Sequence, residues 1–169
     1  MKGDELRRMQ APLKTQYKDT PAMAQLTLSA SGALNPEGLI CSVDTGFGVA
    51  SAGLHPATGG DGTADCSGDM LLQSLVACAG VTLTSVAAAM DIPLKGGTVR
   101  AEGDLDFRGT LGVARDAAVG FTDIRVQFDL ETEAAPEQVE KLIELTERYC
   151  VVLQTLRNTP TVSASHSIA

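Results

Sequence analysis

Apolar and polar residues alternate along four stretches of this chain and recur at helical spacing along a fifth. Ala24, Leu26, Leu28 and Ala30 interleave with Gln25, Thr27, Ser29 and Ser31, the pattern of a half-buried strand. Asn35-Pro36-Glu37-Gly38 is a turn signal, and Leu39 to Val43 follows as a second strand, so a hairpin is expected, with Phe47 to Leu54 as a third strand. Val99, Ala101, Gly103, Leu105 and Phe107 oppose Arg100, Glu102, Asp104, Asp106 and Arg108. Ile124, Val126, Phe128 and Leu130 oppose Arg125, Gln127, Asp129 and Glu131. Each of these segments has one wet and one dry face, as an antiparallel sheet packed on helices requires, and their charges read as the solvated face rather than as paired catalytic carboxylates. A last strand is expected over Thr161 to Ile168, with Val162, Ala164, His166 and Ile168 on one side.

Two long helices complete the pattern. Pro136 suits a helical first turn, and Val139, Leu142, Ile143, Thr146, Tyr149 and Cys150 form one apolar stripe. That stripe puts Cys150 on the buried face near the end or a bend of the helix, while Glu137–Lys141 and Glu144–Arg148 are i,i+4 pairs on the outside. The other helix is predicted from about Asp69 to Met90, with Ser67 as N-cap and Asp69 where the helix dipole favours an anion. Its body, MLLQSLVACAGVTLTSVAAAM, is apolar on almost every face. A membrane span is the rival reading of such a length. Gln73, Ser74, Thr82, Thr84 and Ser85, with no flanking basic cluster, favour a central helix buried on all sides instead. A short chain has little material to surround it, so a second subunit is expected to help. Ala77, Ala79, Gly80 and Ala87 would permit close approach.

Composition narrows the function. The chain has 169 residues, the size of one domain, with 44% hydrophobic and 20% charged positions. Thirteen basic against 21 acidic residues give a net charge of −8, and aromatics are 4% with no Trp. Neither nucleic acid nor an anionic membrane surface is an expected partner. Residues 1–22 are polar, with a short helix expected near Asp4–Gln10, and read as an arm or cap. Met1 to Gln10 has no apolar run and so is not a signal peptide, which points to a cytoplasmic setting. The loop His55 to Gly68 contains Gly59-Gly60-Asp61-Gly62, but no G-K-[ST] follows, and it reads as a turn into the helix rather than a phosphate cradle. No cofactor is expected.

Four cysteines, Cys41, Cys66, Cys78 and Cys150, are the most reactive feature. No C-x-x-C pair occurs and the only histidines are His55 and His166, so a metal site is not expected. Cys78 and Cys150 sit at apolar positions on the two different helices, where packing alone is the plain alternative to redox chemistry. Cys66, twelve residues before Cys78, is an alternative disulfide partner, though packing or simple exposure is the stronger reading for it and for Cys41.

The stretch GGDGTADCSGDMLLQSLVACAGVTL resembles the segment around the peroxidatic cysteine of the OsmC/Ohr family. GFTDIRVQFDL, a helix and then ERYCVVLQTL resemble that family's strand, helix and second-cysteine region. The similarity runs from about residue 12 to the C-terminus. It implies an α+β, OsmC-like fold: residues 23–169 as one domain, with antiparallel sheets wrapped around two long central helices in an intertwined homodimer. It implies a thiol-dependent peroxidase that reduces small hydrophobic organic hydroperoxides, with Cys78 the nucleophile, Cys150 the resolving cysteine, and an external thiol or dithiol as reductant. It also implies an arginine near the nucleophile, held by a carboxylate on the first turn of the central helix, for which Asp69 is the match. The chain departs from the pattern at two places. No arginine lies between Arg8 and Arg100, leaving Arg7, Arg8, Lys14 and Lys18 as candidate cations, and the family's common Pro after the second cysteine is Val151. Cys78 lies mid-helix, so a positive neighbour is expected to be needed to offset burial of its thiol. A catalytically weak relative that binds a small apolar ligand at the dimer interface is the alternative function.

Overall fold

The computed structural model describes residues 3–168. Two bodies of structure follow from the sequence pattern. The first is built from β1 (Gly32–Asn35), β2 (Ile40–Asp44), β3 (Val49–Gly53) and the two-residue β4 (Asp65–Cys66), in the order β1-β2-β3-β4. The second is built from α2 (Ser67–Ala89), β5 (Leu94–Asp104), β6 (Asp123–Thr132), α4 (Pro136–Tyr149) and α5 (Val151–Arg157). A helix α1 (Gly3–Asp19) precedes them, and a single turn α3 (Phe107–Thr110) lies between β5 and β6.

In the second body, burial alternates along both β5 and β6, as their sequence periodicity requires. They form an antiparallel ladder from Leu94↔Thr132 to Gly103↔Ile124 and Asp104↔Asp123, with an irregularity between Leu94 and Gly96. At Gly97, φ is +148° and a Cβ would stand 2.4 Å from the Asp129 carbonyl oxygen, so only glycine fits there. The dry face of the ladder meets α2, which contributes Leu75, Ala79, Leu83 and Ala87, four buried residues at i,i+4 spacing. α4 adds Leu142 and Thr146 from the other side. The Thr146 hydroxyl, fully buried, donates to the Leu142 carbonyl at 2.8 Å. Arg125 ties Asp104 (2.6 Å) to Asp123 (2.5 Å) on the wet face. These exposed pairs fix register more than they add stability.

Several expectations are corrected by the structure. Residues 25–31 form no strand, and Leu26 and Leu28 are 80% and 90% exposed; the hairpin partner of β2 is β1 instead, which begins directly after them at Gly32. Thr161 to Ile168 likewise has no regular structure. Alternation names the two faces of a strand but not its neighbour, and neither segment has a neighbour in this chain. Phe107 leaves the β5 face to begin α3, where its ring stacks on His55 at 4.9 Å between centroids. The sheets are not wholly antiparallel, since β3 and β4 run parallel across Ala52↔Asp65 and Gly53↔Cys66. The N-cap of α2 is Cys66 rather than Ser67, which is already helical. α2 is buried on one face only, and Val81 is 69% exposed; by length and composition it could span a membrane, but that one face is packed on protein. α1 is no short helix: it continues through Pro12 to Asp19, over a run rich in helix-forming residues. The Arg7 side chain ties α1 to the C-terminal end of α2 through the Ala89 carbonyl and Asp91. Lys141 pairs with Glu144 rather than Glu137, and Arg148 lies over the Tyr149 ring, which is exposed rather than in the core.

The buried face of α4 carries the tertiary fold. Leu142→Ala is expected to lower the unfolding free energy by about 3 kcal/mol, read as a lower urea midpoint with an unchanged slope. An unchanged midpoint would show that the α2–α4 contact is not part of the cooperative core.

Candidate functional site

Cys78 faces the hinge between α4 and α5 because of where the second helix breaks. Up to Tyr149 the chain is α-helical. Cys150 then takes extended backbone angles, φ −71° and ψ 107°, and α5 starts at Val151. The break costs little in hydrogen bonding, since the Cys150 amide still donates to Thr146 O and its carbonyl accepts from Gln154 N. The Gln154 side chain donates to the Glu147 carbonyl at 2.8 Å, satisfying one of the acceptors that the end of α4 exposes. The bend leaves the amides of Val151 and Val152 free to point at Cys78, which α2 presents in the same cluster as Leu75, Ala79, Cys150 and Leu153.

Burial pushes the Cys78 thiol up. Four donors outweigh it: in order, the Val152 amide, the Cys150 thiol, the Val151 amide and the Thr82 hydroxyl, and the net result lies below the ordinary cysteine value. Cys150 moves the opposite way. Burial raises it most, the Leu153 amide lowers it, and its hydrogen bond to Cys78 and the charge there raise it further. The two sulfurs therefore divide the work before any reactant arrives. Cys78 is the thiol shifted down, and Cys150, fully buried, is the thiol shifted up.

Of the three expected site residues, the structure brings together Cys78 and Cys150 and leaves Asp69 apart. Asp69 is exposed on the first turn of α2, nine residues before Cys78, which is about 13 Å along the axis of a helix. Among the described residues it enters no ion pair. Among the described residues no cation acts on Cys78 either. Arg7 is engaged at the far end of α2, and Lys14 and Lys18 are exposed on α1. Within the single chain, what lowers the Cys78 thiol is the Val151 and Val152 amides, a dipole source that comes from another helix than the one carrying Cys78. The i,i+4 spacing of Cys78 and Thr82 is a signal the sequence held. The amides had no residue type to announce them.

Cys41 is half-buried on β2, and Cys66 lies at the N-cap of α2, about 18 Å along the helix from Cys78, so Cys66 is not its disulfide partner. All four cysteines are free thiols. Among the described residues no three His, Cys, Asp or Glu side chains converge on a metal-sized space. A cleft of about 480 Å³ opens beside the cysteine cluster, between β6 and α5, walled by Phe121, Ile124, Leu153 and Leu156 together with the charged Asp123, Glu147 and Arg157.

Residues 60–165 match the family model described as OsmC-like protein. No curated protein sequence matches the chain. Among solved structures, an OsmC-like protein from Mycoplasma pneumoniae superposes with a TM-score of 0.67 at 16% identity, covering 80% of this chain and 90% of that one. An organic hydroperoxide resistance protein from Legionella pneumophila gives 0.56 at 18%, covering 79% and 90%. Another from Elizabethkingia anophelis, with thiocyanate bound, gives 0.59 at 18%, covering 80% and 91%. These likenesses establish the shared α+β fold.

The division between the sulfurs predicts selective labelling. At neutral pH iodoacetamide is expected to modify Cys78 before Cys150, and Cys150→Ala, which removes one donor, is expected to raise the pH midpoint of Cys78 alkylation. Equal labelling, or a midpoint unmoved in Cys150→Ala, would contradict the assignment.

Proposed function

Because the chain belongs to the OsmC-like family, we propose that it is a thiol peroxidase that reduces organic hydroperoxides, with Cys78 as nucleophile and Cys150 as resolving cysteine. The observation that carries this reading is that Cys78 packs against the buried Cys150 in one cluster, with the first thiol shifted below and the second above the ordinary cysteine value.

The chemistry follows from that polarity. The Cys78 thiolate attacks the terminal oxygen of the hydroperoxide, an S–O bond forms, the O–O bond breaks and an alkoxide leaves. The alkoxide takes the Cys150 proton, giving the alcohol, a Cys78 sulfenic acid and a Cys150 thiolate. Cys150 was held protonated in part by the charge on Cys78, and that charge is gone once the sulfenic acid has formed. The resolving thiolate is thus released by the first step. It attacks the Cys78 sulfur, the S–S bond forms, and hydroxide leaves to be protonated by solvent. An external dithiol then exchanges with the disulfide and is itself oxidised. The apolar side chains packed around the two cysteines, Leu75, Val99, Ala101 and Ile124 among them, suit a small hydrophobic peroxide rather than hydrogen peroxide.

We propose further that the working unit is a homodimer in the cytoplasm. No residue of the β1–β4 body is buried within one chain, and Leu34, Phe47 and Val49 are 82%, 104% and 71% exposed. So much apolar surface on a sheet, together with the open face of α2, calls for a covering surface, and a second copy offers one of the right character. Asp69, exposed at the start of α2, is placed to hold a cation only if that cation comes from the partner.

A second reading is favoured by one observation, the absence of any cation at Cys78 among the described residues of the chain. On that reading the protein binds a small apolar ligand at the dimer interface and turns over slowly or not at all. Mass spectrometry after one equivalent of cumene hydroperoxide separates the two. The peroxidase reading expects a Cys78–Cys150 disulfide, none in Cys78→Ser, and a sulfenic acid at Cys78 in Cys150→Ser. Unmodified thiols after prolonged exposure would overturn it in favour of the binding protein.

A further inference from the structure

We propose that the outer half of α1 is a clasp, whose face of Leu13, Lys14, Tyr17 and Lys18 docks on the β1–β4 body of a second copy of this chain. The proposal rests on the homodimer reading and adds to it the two surfaces that meet.

α1 is held at one end only. At its root, Gly3 lies so close to α2 that a Cβ would stand 2.1 Å from the Ala88 carbonyl oxygen. Arg7 donates to the Ala89 carbonyl at 3.0 Å and to Asp91 at 3.1 Å, and Asp4 accepts from the same guanidinium at 2.6 Å. A cation there also meets the negative end of the α2 dipole. Gly3, Leu6, Arg7 and Gln10, which share one face of the helix, are partly buried, whereas every residue from Ala11 to Asp19 is exposed. The same spacing carries that face on through Leu13, Lys14, Tyr17 and Lys18. The face that seats the root therefore continues as an overhang, apolar along its middle and basic along one edge.

Charge and reach decide what the overhang covers. Between Lys18 and Lys95 the sequence has no lysine or arginine, while Glu37, Asp44, Asp61 and Asp65 lie in and around the β1–β4 body and are exposed. Among the described residues none of these four enters an ion pair, and neither do Lys14 and Lys18. The exposed Leu34, Phe47 and Val49 of that body are the apolar counterpart of Leu13 and Tyr17. Within one chain the two surfaces stand apart. β4 adjoins the start of α2, about 34 Å along that helix from the root of the arm, and α1 is about 25 Å long. A twofold axis across α2 reverses the direction of the second copy's helix, which brings its β4 end to the arm and, by symmetry, the first copy's sheet to the second arm. A second copy thus offers the arm both the opposite charge and the uncovered apolar surface.

The test uses the full-length chain. Sedimentation at low salt is run on the parent, on the double variant Lys14→Glu, Lys18→Glu, and on Arg8→Glu, which changes the charge on the opposite side of the arm, each checked for native circular dichroism. The double variant is expected to weaken the dimer about tenfold or more, with the difference narrowing in about 0.5 M salt, while Arg8→Glu stays within about threefold. A carbodiimide, which joins an amine to a carboxylate at contact distance, is then applied to the parent, and the denatured band of twice the chain mass is digested for mass spectrometry. Peptides linking Lys14 or Lys18 to Glu37, Asp44, Asp61 or Asp65 are expected in that band and not in the band of single mass. A doubled band without such peptides, a double variant that associates as tightly as the parent, or an Arg8→Glu variant weakened as much as the double variant would overturn the clasp and leave the dimer standing. A parent that sediments as a monomer would overturn the homodimer reading, and the clasp with it.

Discussion

The chemistry of this protein depends on one backbone event, the departure of Cys150 from helical angles between α4 and α5. An uninterrupted helix would bury the amides of Val151 and Val152 in its own hydrogen-bond ladder. Broken there, it turns both toward a sulfur on another helix, and at the same time sets the Cys150 thiol against that sulfur. A buried thiol is ordinarily a poor nucleophile because low polarity penalises the thiolate. Here the same hinge that completes the burial supplies the donors that reverse its effect.

That constraint accounts for the rest of the second body. For the amides to reach Cys78, α5 must lie across α2, and Leu153 holds it there within the cluster of Leu75, Ala79 and Cys150. α4 must be fixed independently, which Leu142 and Thr146 achieve against the other end of α2 and β6. The ladder of β5 and β6 closes the remaining side, with Gly97 admitting the close approach at its start. The two cysteines are thus brought together by core packing and need no ion pair to position them.

Much of this was legible in the residues. Strict alternation over Val99–Leu105 and Ile124–Leu130 located β5 and β6, and the stripe from Val139 to Cys150 located α4 and the buried position of its last cysteine. Where the pattern failed, it failed for want of a partner. Residues 25–31 and 161–168 alternate as cleanly as β6, yet a strand needs a paired neighbour, and neither segment pairs with one in the single chain. Tyr149 shows the other limit: it falls on the apolar stripe, but the helix ends beside it and its ring turns out under Arg148. At the site, side chains could be placed from spacing, whereas the Val151 and Val152 amides could not. Any residue but proline carries such an amide, and only the bend gives it a function.

The central claim, that the hinge amides favour ionisation of Cys78, is tested most directly by Val151→Pro. Cys150 already has the extended angles that a following proline requires, and proline is well suited to the first position of α5, so the substitution deletes one N–H and little else. The measurement is the pH titration of the Cys78 thiolate by ultraviolet absorbance in the Cys41→Ser, Cys66→Ser background, with and without Val151→Pro. The account predicts a midpoint moved to higher pH by the substitution. A midpoint that stays in place in a natively folded variant would contradict it.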